Sequence, residues 1–227
     1  MELKNKIVLI TGSSVGIGKA TALAFAKEGS KVILTYNTNK QEGETTLQAC
    51  KNYGAAHLVH FNVLDDKSIR DLVTTVTKLY GKLDILINNA GIVVVNLFKN
   101  QNFEDLERQV AVNLTGLMKV THIFLPLLEQ QKEAMILNIS SVAGKSPSDE
   151  IAPYCATKYG VRGFTQSLAL ELPKHVQTYS INPSFTATQM TNFEGVAPSK
   201  VADIIVKTAQ EKLHKKSGDD IDVPDYL

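Results

Sequence analysis

Residues Lys6–Gly18 read KIVLITGSSVGIG. The run Lys6–Thr11 is dominated by Ile, Val and Leu and passes directly into a turn carrying Gly12, Gly16 and Gly18. A near-continuous apolar run of this length predicts a strand buried on both faces, as in a parallel sheet covered by helices. Glycines at the carboxyl end of such a strand, just before a helix, let main-chain N–H groups approach a pyrophosphate, and the positive end of the helix dipole favours its charge. The spacing is G-x-x-x-G-x-G rather than the G-x-G-x-x-G of the common dinucleotide fingerprint. Taken alone, the turn is equally compatible with a tight β-to-α connection that binds nothing.

Outward from this stretch the same alternation repeats. Further strand-like runs lie at Lys31–Tyr36 (KVILTY), His57–Phe61 (HLVHF), Leu83–Asn88 (LDILIN), Met135–Ile139 (MILNI) and Val176–Ile181 (VQTYSI). Between them stand helix-like segments. Ile17–Glu28 is closed by Gly29, Asn39–Tyr53 by Gly54, and Asp66–Tyr80 is opened by an Asp cap and closed by Gly81. In Phe103–Gln130, Pro126 predicts a kink or an end; Tyr154–Leu172 stops at Pro173; Ser199–Lys212 follows Pro198 with Ser199 as N-cap. Strand and helix in alternation predict right-handed crossovers and an α/β fold. It is a doubly wound, mostly parallel sheet between two helical layers, the three-layer Rossmann arrangement. No repeat, low-complexity tract or Gly/Ser linker divides the 227 residues, so a single domain over 1–227 is expected.

Apolar residues make up 44% of the chain and aromatics 7%, without Trp, so an aliphatic core is expected. With 24 basic and 23 acidic residues the net charge is +1, which supplies no field to gather nucleic acid or an anionic membrane. Anion binding must then come from a local device. No apolar run approaches the roughly 20 residues of a bilayer span, and the N-terminal MELKNKIVLITG does not have the form of a signal peptide. Cys50 and Cys155 are expected as free thiols of a reducing compartment. A cytoplasmic protein without a membrane partner is therefore expected. The histidines are scattered without ligand spacing, so no metal site is expected.

At the end of the second run, Tyr36-Asn37-Thr38-Asn39-Lys40 holds no carboxylate to accept from a ribose 2′-hydroxyl. Asn37, Thr38 and Lys40 suit a 2′-phosphate, which favours NADP with NAD as the other option; Lys40 also reads as a solvated helix start. Tyr154 and Lys158, four residues apart in YCATK, share a helix face. An ammonium beside a phenol stabilises the phenolate, so Tyr154 is expected to titrate below its ordinary value of about 10 and to exchange a proton with a carbonyl or alcohol oxygen. An isolated Tyr–Lys pair is also an ordinary surface pair. Ser141, thirteen residues before Tyr154 at the end of the fifth run, is placed to hydrogen-bond a substrate oxygen, or is simply a polar strand-end turn. Asn113 interrupts the apolar VAVNLTG, where a polar side chain bonds locally, bends the helix or holds a water.

In order and spacing these residues resemble the short-chain dehydrogenase/reductase family, over nearly the whole chain. Thr11–Gly18 matches T-G-x-x-x-G-x-G, Asn88-Asn89-Ala90-Gly91 is similar to the family's N-N-A-G, and Asn113, Ser141, Tyr154 and Lys158 match its catalytic four. The resemblance implies an NAD(P)-dependent oxidoreductase moving a hydride between cofactor and a carbonyl/secondary alcohol pair, with Tyr154 as general acid/base. The general likeness to 3-oxoacyl-acyl-carrier-protein reductases implies a ketone, small or carrier-tethered, such as a 3-oxoacyl thioester. It further implies that Lys158 binds nicotinamide ribose hydroxyls, that Asn113 holds a water in a relay through Lys158, and that Thr188 touches the nicotinamide amide. Implied cofactor contacts are Gly12, Ser14, Gly16, Ile17, Gly18, Tyr36, Asn37, Asn62, Val63, Asn89, Ala90, Gly91, Tyr154, Lys158, Pro183, Ser184, Thr186 and Thr188. Homo-oligomers, dimers or tetramers through Phe103–Gln130 and Tyr154–Leu172, are implied as well.

The chain also departs from the family pattern. Ser184 stands where the family has Gly, Thr186 where it has an apolar residue, and Asn62 where it often has Asp. Only about nine residues separate Thr188 from Pro198, where relatives carry helices over the substrate, so an open or partner-built substrate side is expected. The tail Gly218–Leu227 keeps a strand-like piece without the family's Gly-rich ending. That short cover leaves a second reading, a non-catalytic NAD(P)-binding sensor on the same fold.

Overall fold

In the computed structural model, which describes Met1–Leu227, alternate residues of each strand feed two separate cores. The strands are β1 (Ile7–Ile10), β2 (Lys31–Tyr36), β3 (Ala56–His60), β4 (Ile85–Asn88), β5 (Ala134–Ile139), β6 (Val176–Asn182) and β7 (Asp220–Asp222). They join in one parallel sheet of order β3-β2-β1-β4-β5-β6-β7. The helices are α1 (Gly16–Lys27), α2 (Lys40–Lys51), α3 (Asp66–Tyr80), α4 (Phe103–Val110), α5 (Leu117–Glu129), α6 (Ala152–Glu171) and α7 (Pro198–Ala209). Val8, Ile10, Ile85, Ile87, Met135 and Leu137 pack beneath α1 and α7; Ile7, Leu9, Leu86 and Ile136 pack beneath α3, α5 and α6. The strand order reverses between β1 and β4, so a crevice opens at the carboxyl ends of these two strands.

The three-layer α/β fold is as the periodicity predicts, and the tail adds β7 beside β6. Several boundaries differ, each for a local reason. Asp65, not Asp66, caps α3: its extended backbone lets the carboxylate accept from Lys67 N–H at 2.8 Å. Asn52 closes α2 and Gly54 lies beyond it, whereas Gly81 does close α3 in the left-handed conformation at φ 66°. Ala197 precedes α7 and Pro198 takes the first helical position, leaving Ser199 inside.

The segment expected as one helix over Phe103–Gln130 is continuous but changes its winding. Ala111–Gly116 is a π-helical turn between α4 and α5, and the disturbance sits at Asn113. Pro126 does not end α5: it is exposed within the last turn, where water can satisfy the carbonyl it leaves unbonded. Contrary to expectation, Phe103–Glu129 is long and apolar enough by length and composition to cross a bilayer. In this fold its Val120, Phe124 and Leu128 are buried against the sheet.

Phe124 is fully buried in the α5 core, so Phe124→Ala is expected to destabilise the fold by about 3–5 kcal/mol. Chemical denaturation checks this, as a lower midpoint at unchanged slope.

Candidate active site

The turn after β1 is built by side chains that bond its backbone. Gly12 N–H donates to Thr35 Oγ1 at 2.9 Å, and the buried Ser13 hydroxyl donates to Ile10 O at 3.0 Å while accepting from Thr35 N–H at 2.8 Å. Gly12 and Gly16 adopt φ of 64° and 60°, which only glycine enters without strain. A Cβ on Gly18 would stand 2.4 Å from Gly12 O and 2.5 Å from Asn89 Nδ2, so α1 can pack this close only with glycine there. The main-chain N–H groups of Ser14, Val15, Gly16, Ile17 and Gly18 bond nothing within the chain, and the first turn of α1 has no acidic side chain and no side-chain cap. A Cβ on Gly16 would meet Thr188 Cγ2 at 3.2 Å, which brings Thr188 to the same turn. Free N–H groups, a helix dipole and close backbone access fit the phosphates of a dinucleotide.

Asn89 knits this turn to β4. Its amide donates to Thr11 O and Gly12 O, both at 2.9 Å, while Thr11 Oγ1 accepts from Asn89 N–H at 2.9 Å and Ala90 N–H at 3.0 Å. Both donors of Asn89 are thus used to hold the loop. Beyond β3, Asn62 Oδ1 accepts from Leu64 N–H at 3.0 Å, and its amide donors bond nothing within the chain. Val63 lies so close to the π-helical turn that a Cβ on Gly116 would stand 2.4 Å from its Cγ2. Tyr36 is half-buried and stacks edge-on with His60; Asn37 is exposed; Lys40 opens α2 with its ammonium 3.7 Å from Glu44 on an exposed face.

The sheet end brings Ser141, Tyr154, Lys158 and Asn113 together from three elements. Ser141 follows β5 and caps the short 3-10 turn Val142–Gly144, accepting from Ala143 N–H at 3.1 Å. The Ser141 side chain lies close enough to the Tyr154 phenol to act on its titration. Lys158 is buried, donates to Ile139 O at 2.8 Å and lies 5.4 Å from the centroid of the Tyr154 ring. Burial holds the Lys158 ammonium down to about 8. Burial also pushes the Tyr154 phenol up to about 12, against the pull of the nearby Ser141 side chain. The expected lowering by Lys158 is therefore reversed in the protein without ligands: the ammonium sits over the ring rather than at the hydroxyl, and desolvation dominates.

Asn113 spends its side chain on the backbone. Oδ1 accepts from Ile92 N–H at 2.8 Å, and Nδ2 donates to Ile92 O at 2.8 Å and Thr157 Oγ1 at 3.2 Å. A Cβ on Gly91 would lie 3.3 Å from Asn113 Oδ1 and 3.7 Å from Lys158 Nζ, so Gly91 borders both.

The segment after β6 folds back on itself around one 3-10 turn, Gln189–Thr191. Ala187 N–H donates to Val196 O at 2.8 Å, Val196 N–H to Phe185 O at 2.9 Å, and Thr191 Oγ1 to Thr186 O at 2.6 Å. Pro183 O accepts from Val142 N–H at 3.0 Å, tying this loop to the Ser141 turn. Ser184 keeps a negative φ, so its backbone needs no glycine, and its carbonyl accepts from Thr186 Oγ1 at 2.7 Å. Phe185, Met190 and Phe193 remain exposed.

Sequence reasoning missed Thr35, Thr157 and Arg162. Arg162 donates from Nε and Nη2 to Asp220 at 2.9 and 2.6 Å and from Nη1 to Gly144 O, pinning the Ser141 turn to β7. A polar residue inside the apolar KVILTY was the one available signal for Thr35; nothing local marks Arg162.

A family model described as short chain dehydrogenase matches residues 6–196. A 3-oxoacyl-[acyl-carrier-protein] reductase of Synechocystis sp. is 37% identical over 191 residues, 83% of this chain and 77% of the relative. Another of that name, from Aquifex aeolicus, is 38% identical over 193 residues, 84% of this chain and 78% of the relative. Among solved structures, a short-chain type dehydrogenase/reductase from Mycobacterium marinum superposes with a TM-score of 0.90 at 24% identity, covering 97% of this chain and 94% of that one. Levodione reductase gives a TM-score of 0.89 at 22% identity, covering 96% and 95%. At these identities the two structures establish the shared fold.

Lys158 also has a consequence for stability. An unfolded lysine titrates near about 10.4, and the folded one at about 8. Below the folded value both states hold the proton; between the two values the unfolded chain binds more, so stability rises with pH, by about 3 kcal/mol over the window. The unfolding free energy of the wild type relative to Lys158→Met is expected to climb by that amount between about pH 7 and about pH 10.5. Urea denaturation at both pH values measures it; a constant difference would show an ammonium that is not desolvated.

Proposed function

The chain belongs to the short-chain dehydrogenase family and is an NAD(P)-dependent oxidoreductase, and on that premise we propose that it reduces the ketone of a 3-oxoacyl thioester, with Tyr154 as general acid. The observation that carries this reading is the Lys158 ammonium over the Tyr154 ring, 5.4 Å from its centroid, with the Ser141 side chain close enough to act on the same phenol.

When bound, a reduced nicotinamide supplies the hydride for the carbonyl carbon. Tyr154, held up at about 12, keeps its proton at neutral pH and gives it to the carbonyl oxygen. Ser141 donates a hydrogen bond to the same oxygen and fixes its distance from the phenol. Lys158, still charged below about 8, stabilises the phenolate that remains and holds the ribose hydroxyls beside Gly91. Asn113 places the backbone of Ile92 next to Lys158; with its amide committed there, a relay water would be held by main-chain groups rather than by this side chain. Ser14 to Gly18 receive the pyrophosphate, Asn62 and Val63 flank the adenine, and Pro183, Ser184, Thr186 and Thr188 border the nicotinamide.

The absence of a carboxylate at Tyr36–Lys40 favours NADPH over NADH. The two reductases similar to this chain carry acyl-carrier-protein in their names, which supports a substrate on a carrier arm, and a homo-oligomer in the cytoplasm is the setting we infer.

Tyr154→Phe is expected to cut ketone reduction by at least about 10² while cofactor affinity stays within a few fold. Steady-state rates and a fluorescence titration with NADPH and NADH measure both, and the same titration reads the cofactor preference. A variant that loses affinity yet keeps its rate would overturn the assignment; so would a wild type that binds NADPH and turns over no member of a ketone panel.

A further inference from the structure

Beyond Gly91 the chain has no neighbouring strand, yet Ile92–Asn96 is held along one edge by a column of three side-chain amides. Asn113 pairs with both backbone groups of Ile92 at 2.8 Å. Gln109 Oε1 accepts from Val94 N–H at 3.1 Å, and Gln101 Nε2 donates to Asn96 O at 3.0 Å. Gln109 and Asn113 are four residues apart on one continuous helical segment, about 6 Å of rise, close to the about 6.6 Å between alternate residues of an extended chain, so they reach Val94 and Ile92; Gln101 lies before α4 and reaches Asn96 from there.

Gln109 is the middle rung and joins the others. Its Nε2 donates to Gln101 Oε1 and to Asp105 O, both at 3.1 Å. It is also the one residue of α4 that is fully buried. A helix packed only for stability would put an apolar side chain there, because a buried amide must be fully bonded to break even.

This rail flanks the reacting groups at both ends. It begins at Gly91, 3.7 Å from Lys158 Nζ when a Cβ is placed there, and ends where Asn96 N–H donates to Glu150 O at 2.9 Å, four residues before Tyr154. The N–H and C=O groups of Val93 and Val95, on the opposite edge, bond nothing within the chain, and Val95 is 61% exposed.

We propose that Gln109 is a positioning residue that fixes Ile92–Asn96 as the substrate-side wall of the pocket, and so sets how tightly the ketone substrate is held there. The functional half of this proposal rests on the ketone-reductase reading; the structural half does not.

Gln109→Leu keeps the bulk and removes all three bonds. Amide exchange at Val94 and Asn96 is expected to rise at least about ten-fold while α4 stays protected. KM for a 3-oxoacyl thioester is expected to rise at least about five-fold with kcat and NADPH affinity within about two-fold. Gln101→Ala, at the half-buried end of the column, should give the same pattern more weakly and serves if Gln109→Leu does not fold. Unchanged exchange at Val94 would overturn the proposal, as would kcat and KM that shift only in step with a fall in Tm. A wild type that reduces no ketone would defeat the substrate reading, and the exchange result would still decide whether Gln109 holds the wall.

Discussion

One buried ammonium, Lys158 Nζ bonded to Ile139 O at the end of β5, locks α6 against the sheet where the reacting side chains meet. A charge removed from water is costly, and its compensation is one carbonyl and the face of the Tyr154 ring. The backbone beside it is packed as closely. Ser140 Oγ donates to Lys158 O at 2.9 Å, and a Cβ on Gly144 would lie 2.7 Å from the Lys158 carbonyl. The turn carrying Ser141 therefore rests on the backbone of Lys158 itself. Anything that lifts α6 from β5 also separates Ser141 from Tyr154.

The rest of the crevice is held by side chains bonding to backbone. Loops beyond the strand ends have no ladder to satisfy their N–H and C=O groups, and a buried one left unpaired is expensive. Thr11, Ser13, Thr35 and Asn89 meet that need on the nucleotide side. Gln109, Asn113 and Arg162 meet it on the other. The N–H groups of Ser14 to Gly18, at the positive end of α1, are left free. A run of free donors there gives the rim an electropositive gap, which suits the phosphates of a dinucleotide on a chain without a strong net charge.

The loop from Phe185 to Val196 shows how a short connection replaces a longer cover. It closes on itself through the Thr186–Val196 bridge and the Thr191 hydroxyl, with φ of 109° at Gly195. Its bonds are internal, so Phe185, Met190 and Phe193 have nothing to pack against and stay exposed. The segment beyond β6 is thus a loop bonded to itself with exposed apolar side chains rather than a helical lid.

Strand and helix alternation, the Gly12–Gly18 turn and the order of Asn113, Ser141, Tyr154 and Lys158 were legible in the sequence, because apolar period, turn chemistry and residue spacing are local properties. The winding change at Asn113, the tolerance of Pro126 and the shift from Asp66 to Asp65 were not, since each turns on which backbone group a side chain can reach. The direction of the Tyr154 shift needed the tertiary structure too: spacing places an ammonium nearby, but only the fold decides how much water is excluded and that the charge lies over the ring. Arg162 on Asp220 and Asn113 on Ile92 join residues distant in the chain, so no local pattern announces them. Sequence alone determined which polar and titratable groups the chain carries and in what order, because spacing is a local property. Tertiary packing decided the desolvation and the long-range bonds that hold those groups beside one another.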